Sequence, residues 1–351
     1  MTTSGGESAT NAAAPLPWDD APDPWDEAEG RWLSDPPSRR PRVWRERAKS
    51  IVTRNDSPDI PFRFGANAYR GCAHACAYCY ARPTHEYLDL DPDGDFEHEL
   101  VVKENAAELL SLELTSSRFD GEVLCLSGAT DPYQPLEASL RLTRRMLEVC
   151  LARGRAVLLF TKAALVQRDA DVLARLAAGP GVQVYLSIPF ADDATARALE
   201  PAAPSPSARF RAMRALTEAG VPTGLSISPV VPGLNDRQLD DLLARTAAAG
   251  GTRAFASLLR LPGPVRAIFE RRLRERLPSA ADRVLAALAA SGADRTGRAA
   301  FGERMAGSGV RWELVRSMFE TFARRHGVIA DERPEPALPP VRRTRQGRLF
   351  D

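Results

Sequence analysis

Arg70-Gly71-Cys72-Ala73-His74-Ala75-Cys76-Ala77-Tyr78-Cys79-Tyr80 places three cysteines within eight positions, spaced C-x3-C-x2-C. Thiolates are soft metal ligands. Three on one short loop can hold three irons of a cubane cluster, where an all-cysteine cluster takes four. The missing fourth ligand leaves one iron open, able to chelate the amino and carboxylate groups of a small molecule. A loop that wraps three corners of a cube must turn tightly, and Gly71 supplies that freedom. A structural zinc site is the competing reading, with His74 or His85 as fourth ligand. Zinc favours paired C-x2-C elements or a distant histidine pair, and no second pair exists in the sequence. Accidental clustering in a core does not suit a loop that carries Arg70, Gly71 and His74.

Working outward, the remaining cysteines, Cys125 and Cys150, bring the count to five. An odd count crowded at one point is not a disulfide framework, and it reads as a reduced, cytoplasmic metal site. The 351 residues suffice for one large domain or two ordinary ones; 44% are hydrophobic and 26% charged, in the range of globular proteins. A net charge of +1 gives no global attraction to nucleic acid or membrane. Only Lys49, Lys103 and Lys162 are lysines, and the arginines are spread along the chain. No stretch approaches the roughly 20 apolar residues of a membrane helix. Met1 to Pro15 has no basic run followed by an apolar one, so no secretory leader is expected.

Residues 1–45 are rich in Pro, Ala, Asp and Glu and are expected to be disordered. The basic run Arg39 to Arg47 reads as a solvated linker, with phosphate contact as the functional alternative. From residue 46 to 262, short apolar runs alternate with helical patterns, the signature of β/α units on a parallel sheet. Strands are expected at Phe62 to Tyr69, Glu122 to Leu126, Ala156 to Phe160, Val182 to Ile188, Gly224 to Val231 and Ala254 to Leu261. Helices are expected at Glu104 to Glu113, Leu142 to Ala152, Arg168 to Ala178, Ala208 to Ala219 and Asp236 to Ala249. Six units are too few to close an eight-stranded barrel, so an open, partial (β/α)6 TIM-like barrel of α/β class follows. Its chemistry belongs at the carboxyl ends of the strands. Residues 263–328 read as a helical C-terminal extension, with Phe269, Leu273 and Leu277, then Trp312, Val315, Met318, Phe319 and Phe322, at helical spacing. Residues 329–351 read as a flexible tail.

C-x3-C-x-aromatic-C, with Tyr78 as the aromatic, resembles the signature of the radical S-adenosylmethionine (SAM) superfamily. Tyr69 to Cys72, Tyr80 to Leu88 and Thr130-Asp131-Pro132-Tyr133-Gln134-Pro135-Leu136-Glu137 narrow the resemblance to radical enzymes related to spore photoproduct lyase, in a bacterial subfamily of unassigned substrate. The resemblance covers residues 45 to 327. Ala68 departs from it, standing where that subfamily carries proline.

The resemblance implies a [4Fe–4S] cluster on Cys72, Cys76 and Cys79 and SAM as cofactor. A reduced cluster would cleave SAM to methionine and a 5′-deoxyadenosyl radical, which takes a hydrogen atom from substrate. It further implies that Tyr78 flanks adenine, that Tyr80 relays a hydrogen atom and that Lys162 pairs with the methionine carboxylate. Thr130 and Asp131 would hold the methionine ammonium, with a turn-forming Asp-Pro as the equal alternative. Ser187 would bind the ribose and Ser228 would line the adenine. His85 and Glu86 are read as groups that steady the loop, with acid–base work as the alternative. The related lyase has a hydrogen-donor cysteine where this chain has Gly128; Cys125 lies nearby in an apolar strand and reads as a core thiol. That absence argues against photoproduct-lyase chemistry as such. A flavodoxin or ferredoxin is the implied electron donor.

Gln346, Leu349 and Phe350 near the end resemble the peptide that docks on the bacterial DNA sliding clamp; folding back onto the domain is the alternative. The function expected from all this is a radical SAM enzyme acting on nucleic acid, in modification or repair. The alternatives are a protein or small-molecule substrate, or a non-catalytic iron–sulfur module.

Overall fold

The computed structural model describes residues 13–16, 41–57, 60, 62–119, 121–291 and 309–331. Gln346, Leu349 and Phe350, and most of the segment before Arg42, lie outside the described residues.

The first elements build a small sheet beside the barrel. Ala13–Leu16 (β1) pairs antiparallel with Arg42–Glu46 (β2). β2 corrects the linker reading of the basic run. Val43 is buried while Arg42 faces solvent, and the Trp44 Nε1 donates to Glu99 Oε2 at 2.7 Å, so alternation and a cross-strand partner outweigh the local charge. Val52–Arg54 (β3) and Phe64–Ala66 (β4) pair antiparallel at the edge of the main sheet. The single strand expected over Phe62 to Tyr69 is two. Asn67 breaks it, its Oδ1 accepting the Ala129 N–H at 3.1 Å, and Tyr69–Arg70 (β5) joins the small sheet instead. Asp95–His98 (α1) leads into Glu99–Lys103 (β6), which pairs with β2 and β5.

The barrel then follows the expected chain order. Its strands are β4, Leu124–Cys125 (β7), Val157–Thr161 (β8), Val182–Ser187 (β9), Thr223–Val230 (β10) and Arg253–Leu258 (β11), all mutually parallel. Ala106–Glu113 (α2), Glu137–Leu140 (α3), Leu142–Ala152 (α4), Ala170–Ala178 (α5), Asp193–Leu199 (α6), Pro206–Glu218 (α7) and Leu239–Ala248 (α8) occupy the crossovers. After β11 come Val265–Arg276 (α9), Pro278–Ala290 (α10) and Val310–Arg325 (α11), then Ile329–Ala330 (β12), which adds to β11. The sheet order β12-β11-β10-β9-β8-β7-β4-β3 leaves two edges, and the barrel is partial, as expected. No described helix is long and apolar enough to cross a membrane.

Helix ends show why the crossovers stop where they do. Asp192 caps α6 by accepting the Thr195 N–H at 2.7 Å, and Ser205 caps α7 through the Ala208 N–H at 3.1 Å, each worth about 1 kcal/mol. α6 was not anticipated from the sequence, and its end delivers Glu200 to the barrel mouth.

Alternate residues of β8 to β11 face the barrel interior in two layers. Phe160, Tyr185 and Phe255 form the deeper one; Phe160 and Tyr185 stack at 5.4 Å between centroids, and Phe255 meets both edge-on. Gly224 sits opposite Tyr185, where a Cβ would come within 2.6 Å of the ring. The Tyr185 hydroxyl donates to Asp331 at 2.6 Å, which ties the chain just past β12 to the barrel. Nearer the carboxyl ends lie Lys162, Ser187, Ser228 and Ser257.

Candidate active site at the carboxyl ends of the strands

Cys72 and Cys76 are buried and Cys79 is partly buried, and all three are free thiols. Burial pushes all three thiols up; the charges of Asp131 and the neighbouring cysteines add to this for Cys72, and those of Glu200 and Cys79 for Cys76. Thiols this enclosed and close enough to repel as thiolates become stable as ligands only beside a strong cation. Among the described residues no three His, Cys, Asp or Glu side chains converge as single-ion ligands. Corners of a cubane bind separate irons and need no such convergence. His74, buried in the same loop, keeps its Nε2 without a partner among the described residues. The donor set and the unpaired buried nitrogen fit a cubane cluster.

The loop is held by its neighbours. Gln134, fully buried, donates from Nε2 to Gly71 O at 3.1 Å and accepts the Ala73 N–H on Oε1 at 3.1 Å. The Ala77 N–H donates to Leu199 O at 2.8 Å, and the Cys72 N–H to Phe96 O at 2.9 Å. His85 lies at 3.0 Å from Glu99 O and packs on Phe96, which agrees with a steadying role.

Asp131 joins this loop to the third barrel strand. Its Oδ1 accepts Thr161 Oγ1 at 2.6 Å and the Tyr133 N–H at 2.9 Å; its Oδ2 accepts the Lys162 N–H at 2.7 Å and faces His74 Nδ1 at 3.4 Å. That last contact is too long and bent for a good hydrogen bond. Burial raises the Asp131 pKa, but the His74 charge and these donors outweigh it and hold it low. Both oxygens are thus engaged by the protein. Thr130 donates to Tyr69 O at 3.4 Å. The Thr130 to Glu137 segment acts as a brace: Asp131 fixes β8, Gln134 the cluster loop, and Glu137 accepts the Tyr69 hydroxyl at 2.5 Å.

Tyr78, Lys162, Ser187 and Ser228 come together. Lys162 Nζ donates to Ser187 Oγ at 2.8 Å and lies 5.5 Å above the Tyr78 ring. Ser187 Oγ is 3.4 Å from Ser228 O, and Ser228 bonds Ser257. Sequence reasoning missed what anchors them, Glu200 and Arg209, both fully buried. Glu200 pairs with Lys162 at 3.0 Å and Arg209 at 2.5 Å and accepts the Tyr78 hydroxyl. Arg209 also donates to Ser187 O at 2.8 Å. The only hint was a lone acid in Leu199-Glu200-Pro201, after an apolar residue. Tyr80 stands apart, 59% exposed, its hydroxyl donating to Gly128 O at 3.0 Å. Cys125 is fully buried against Ser127, with its thiol pushed up to about 12 by burial, as a core thiol would be.

Residues 66–245 match the family model of the radical SAM superfamily, which spans this loop and the strand ends around it. The chain belongs to the radical SAM superfamily. It is 39% identical over 212 residues to an uncharacterized protein of Mycobacterium tuberculosis, covering 60% of this chain and 62% of that one. It is 32% identical over 174 residues to an uncharacterized protein of Methanocaldococcus jannaschii, 50% of this chain and 62% of that one. The match therefore spans less than two thirds of these curated relatives. Among solved structures, a spore photoproduct lyase variant with bound AdoMet and dinucleoside spore photoproduct has the same fold, with TM-score 0.58 at 15% identity over 83% of this chain and 82% of that one. A spore photoproduct lyase complexed with the dinucleoside photoproduct gives 0.55 at 16%, over 82% and 80%.

Proposed function

We propose that this chain is a radical SAM enzyme that acts on nucleic acid. The observation that carries the chemistry is the placement of the three-cysteine loop beside the Lys162, Ser187 and Glu200 cluster at the strand ends. Cys72, Cys76 and Cys79 would hold a [4Fe–4S] cluster, which when bound supplies the electron that splits SAM into methionine and a 5′-deoxyadenosyl radical. The protein's own part is to bind, orient and exclude water. Lys162 spends two of its three donors on Ser187 and Glu200, leaving one for a carboxylate. Tyr78 offers a ring face, and Ser187 and Ser228 offer polar groups suited to a nucleoside. The aromatic layer of Phe160, Tyr185 and Phe255 lies in the interior below them. Tyr80, at the rim with its hydroxyl on Gly128 O, would meet a substrate and relay a hydrogen atom.

The nucleic-acid substrate rests on that exposed aromatic, since unstacked bases are held on aromatic faces, and on the dinucleoside bound by spore photoproduct lyase. A flavodoxin or ferredoxin would deliver the electron. Anaerobic reconstitution with iron and sulfide, reduction, and addition of SAM is expected to yield 5′-deoxyadenosine, and the Cys76→Ala variant none. Stimulation by damaged DNA supports the substrate class; equal yields with and without nucleic acid would count against it. No product from a reduced, fully loaded protein sinks the enzyme reading.

Lys162→Met is expected to weaken SAM binding about 10- to 100-fold, the worth of one hydrogen bond to a charged group. Arg209 still balances Glu200, so cluster iron should stay at the wild-type level. Equilibrium binding under anaerobic conditions reads the first quantity and iron analysis the second. Wild-type affinity would remove Lys162 from the cofactor site.

A further inference from the structure

Beyond SAM binding, the cluster loop is gripped from outside the barrel by two arginines. Ala75, a non-glycine residue at φ +57°, lies between two of the cysteines. Such a conformation persists only when its surroundings impose it. Arg272, on α9, donates from Nη1 to Ala75 O at 3.0 Å across nearly 200 residues of sequence. Arg82, fully buried, donates from Nε to the next carbonyl but none, Cys76 O, at 3.0 Å. Both guanidiniums share Glu97, Arg82 at 2.5 Å and Arg272 at 2.9 Å, and Arg272 also holds Asp93 at 2.8 Å. Arg82 further donates to Pro92 O and Asp93 O, which fixes the acidic segment itself. The result is a network of Arg82 and Arg272 with Asp93 and Glu97 directly behind the loop, which Arg271 joins at Asp93 from the outer side.

We propose that Arg272 is a positioning residue for the iron–sulfur cluster: the helical extension sets the backbone at Ala75 and keeps the charge behind the loop balanced. The inference rests on the function proposed above. The planar fork matters because it reaches a carbonyl and two carboxylates at once, which a lysine ammonium does not do in the same geometry. Removal of the charge leaves Asp93 and Glu97 against Arg82, with Arg271 reaching Asp93 from a half-exposed position. The added negative charge disfavours the reduced, more negative cluster and lowers its potential.

The test compares wild type, Arg272→Gln and Arg272→Lys after anaerobic reconstitution. The readouts are iron loss to a chelator and an optically monitored redox titration. Arg272→Gln is expected to lose iron about 10- to 100-fold faster, the usual cost of an outer-sphere partner, and to show a lower midpoint potential. Arg272→Lys should recover the potential but still lose iron quickly. If Arg272→Gln does not fold, the lysine variant carries the test through its fast iron loss at unchanged potential. Wild-type iron retention and potential in the variants, with or without lower stability of the apo-protein, would overturn the proposal and leave Arg272 a structural residue. Wild type that takes up no cluster overturns the proposed function, and this proposal with it.

Discussion

Glu200→Gln is expected to cost the apo-protein about 3–5 kcal/mol at neutral pH, the usual effect of removing one member of a buried ion pair. Glu200 is fully buried and is the counter-charge for both Lys162 and Arg209. Burial by itself raises its pKa, but the Arg209 and Lys162 charges and the Tyr78 hydroxyl outweigh that and hold it at about 2, below the ordinary 4.5. The sign follows. A carboxyl whose folded pKa is depressed stabilises the fold above its unfolded pKa, and that contribution is lost as pH falls through the folded value. The window therefore runs from about pH 4.5 down to about pH 2, with a depth of about 3 kcal/mol. Urea unfolding of the apo-protein across this window should show wild type losing stability, and Glu200→Gln starting low and changing less. A glutamine variant as stable as wild type at pH 7 would show that Lys162 and Arg209 do not depend on this carboxylate. Because Lys162 is the proposed partner of the methionine carboxylate, the same variant should also bind SAM poorly.

The parts of this molecule that were legible in the sequence are those with a period or a spacing. The barrel strands read as apolar runs because a parallel strand is covered on both faces, as Val157 to Leu159 and Val182 to Leu186 are. The cysteine loop read as a metal site because its spacing has few other uses. What escaped is long-range polar pairing. Glu200 looks in sequence like an ordinary charge at a helix end, and Arg209 like an ordinary charge on a helix surface. Arg272 sits in Arg271-Arg272-Leu273-Arg274-Glu275-Arg276, where i,i+4 pairing such as Arg271 with Glu275 is the natural reading. Its partners Asp93 and Glu97 lie before the barrel's second strand, and nothing local points between them. β2 escaped for a related reason: it is charged on one side and depends on β6, more than 50 residues away, for its other neighbour. The Asp131 loop was visible as a motif, yet its work on the brace could be told from ligand binding only once its four contacts were in place.

Gly71→Ala should empty the site with one methyl group. Gly71 has φ +74°, and a Cβ there would lie 2.8 Å from Phe96 O, 2.9 Å from His85 Cε1 and 2.9 Å from Leu100 Cδ2. The left-handed backbone costs an alanine about 1–2 kcal/mol, and forcing a methyl into filled space about 1–3 kcal/mol more. The sum, about 2–5 kcal/mol, falls on one place. Phe96 O is the acceptor of the Cys72 N–H, so relief of the clash pulls the first cysteine from its position. Gln134 binds Gly71 O and the Ala73 N–H on either side of Cys72, so the loop cannot shift without losing that bond pair as well. Gly128→Ala is the matched control: its nearest neighbour, Phe62 Cε2, is 3.8 Å from the added carbon and its φ is not positive. There a methyl group meets ordinary contact, and the smaller unfolded-state entropy can add up to about 1 kcal/mol of stability. Iron analysis after reconstitution and urea unfolding of both apo-variants decide the matter. Low iron in Gly71→Ala beside full iron in Gly128→Ala ties cluster assembly to the packing of this one turn. Full iron and unchanged stability in Gly71→Ala would mean that the segment from Phe96 to Leu100 yields easily, and the positions of the three cysteines would then have to be imposed by the cluster itself.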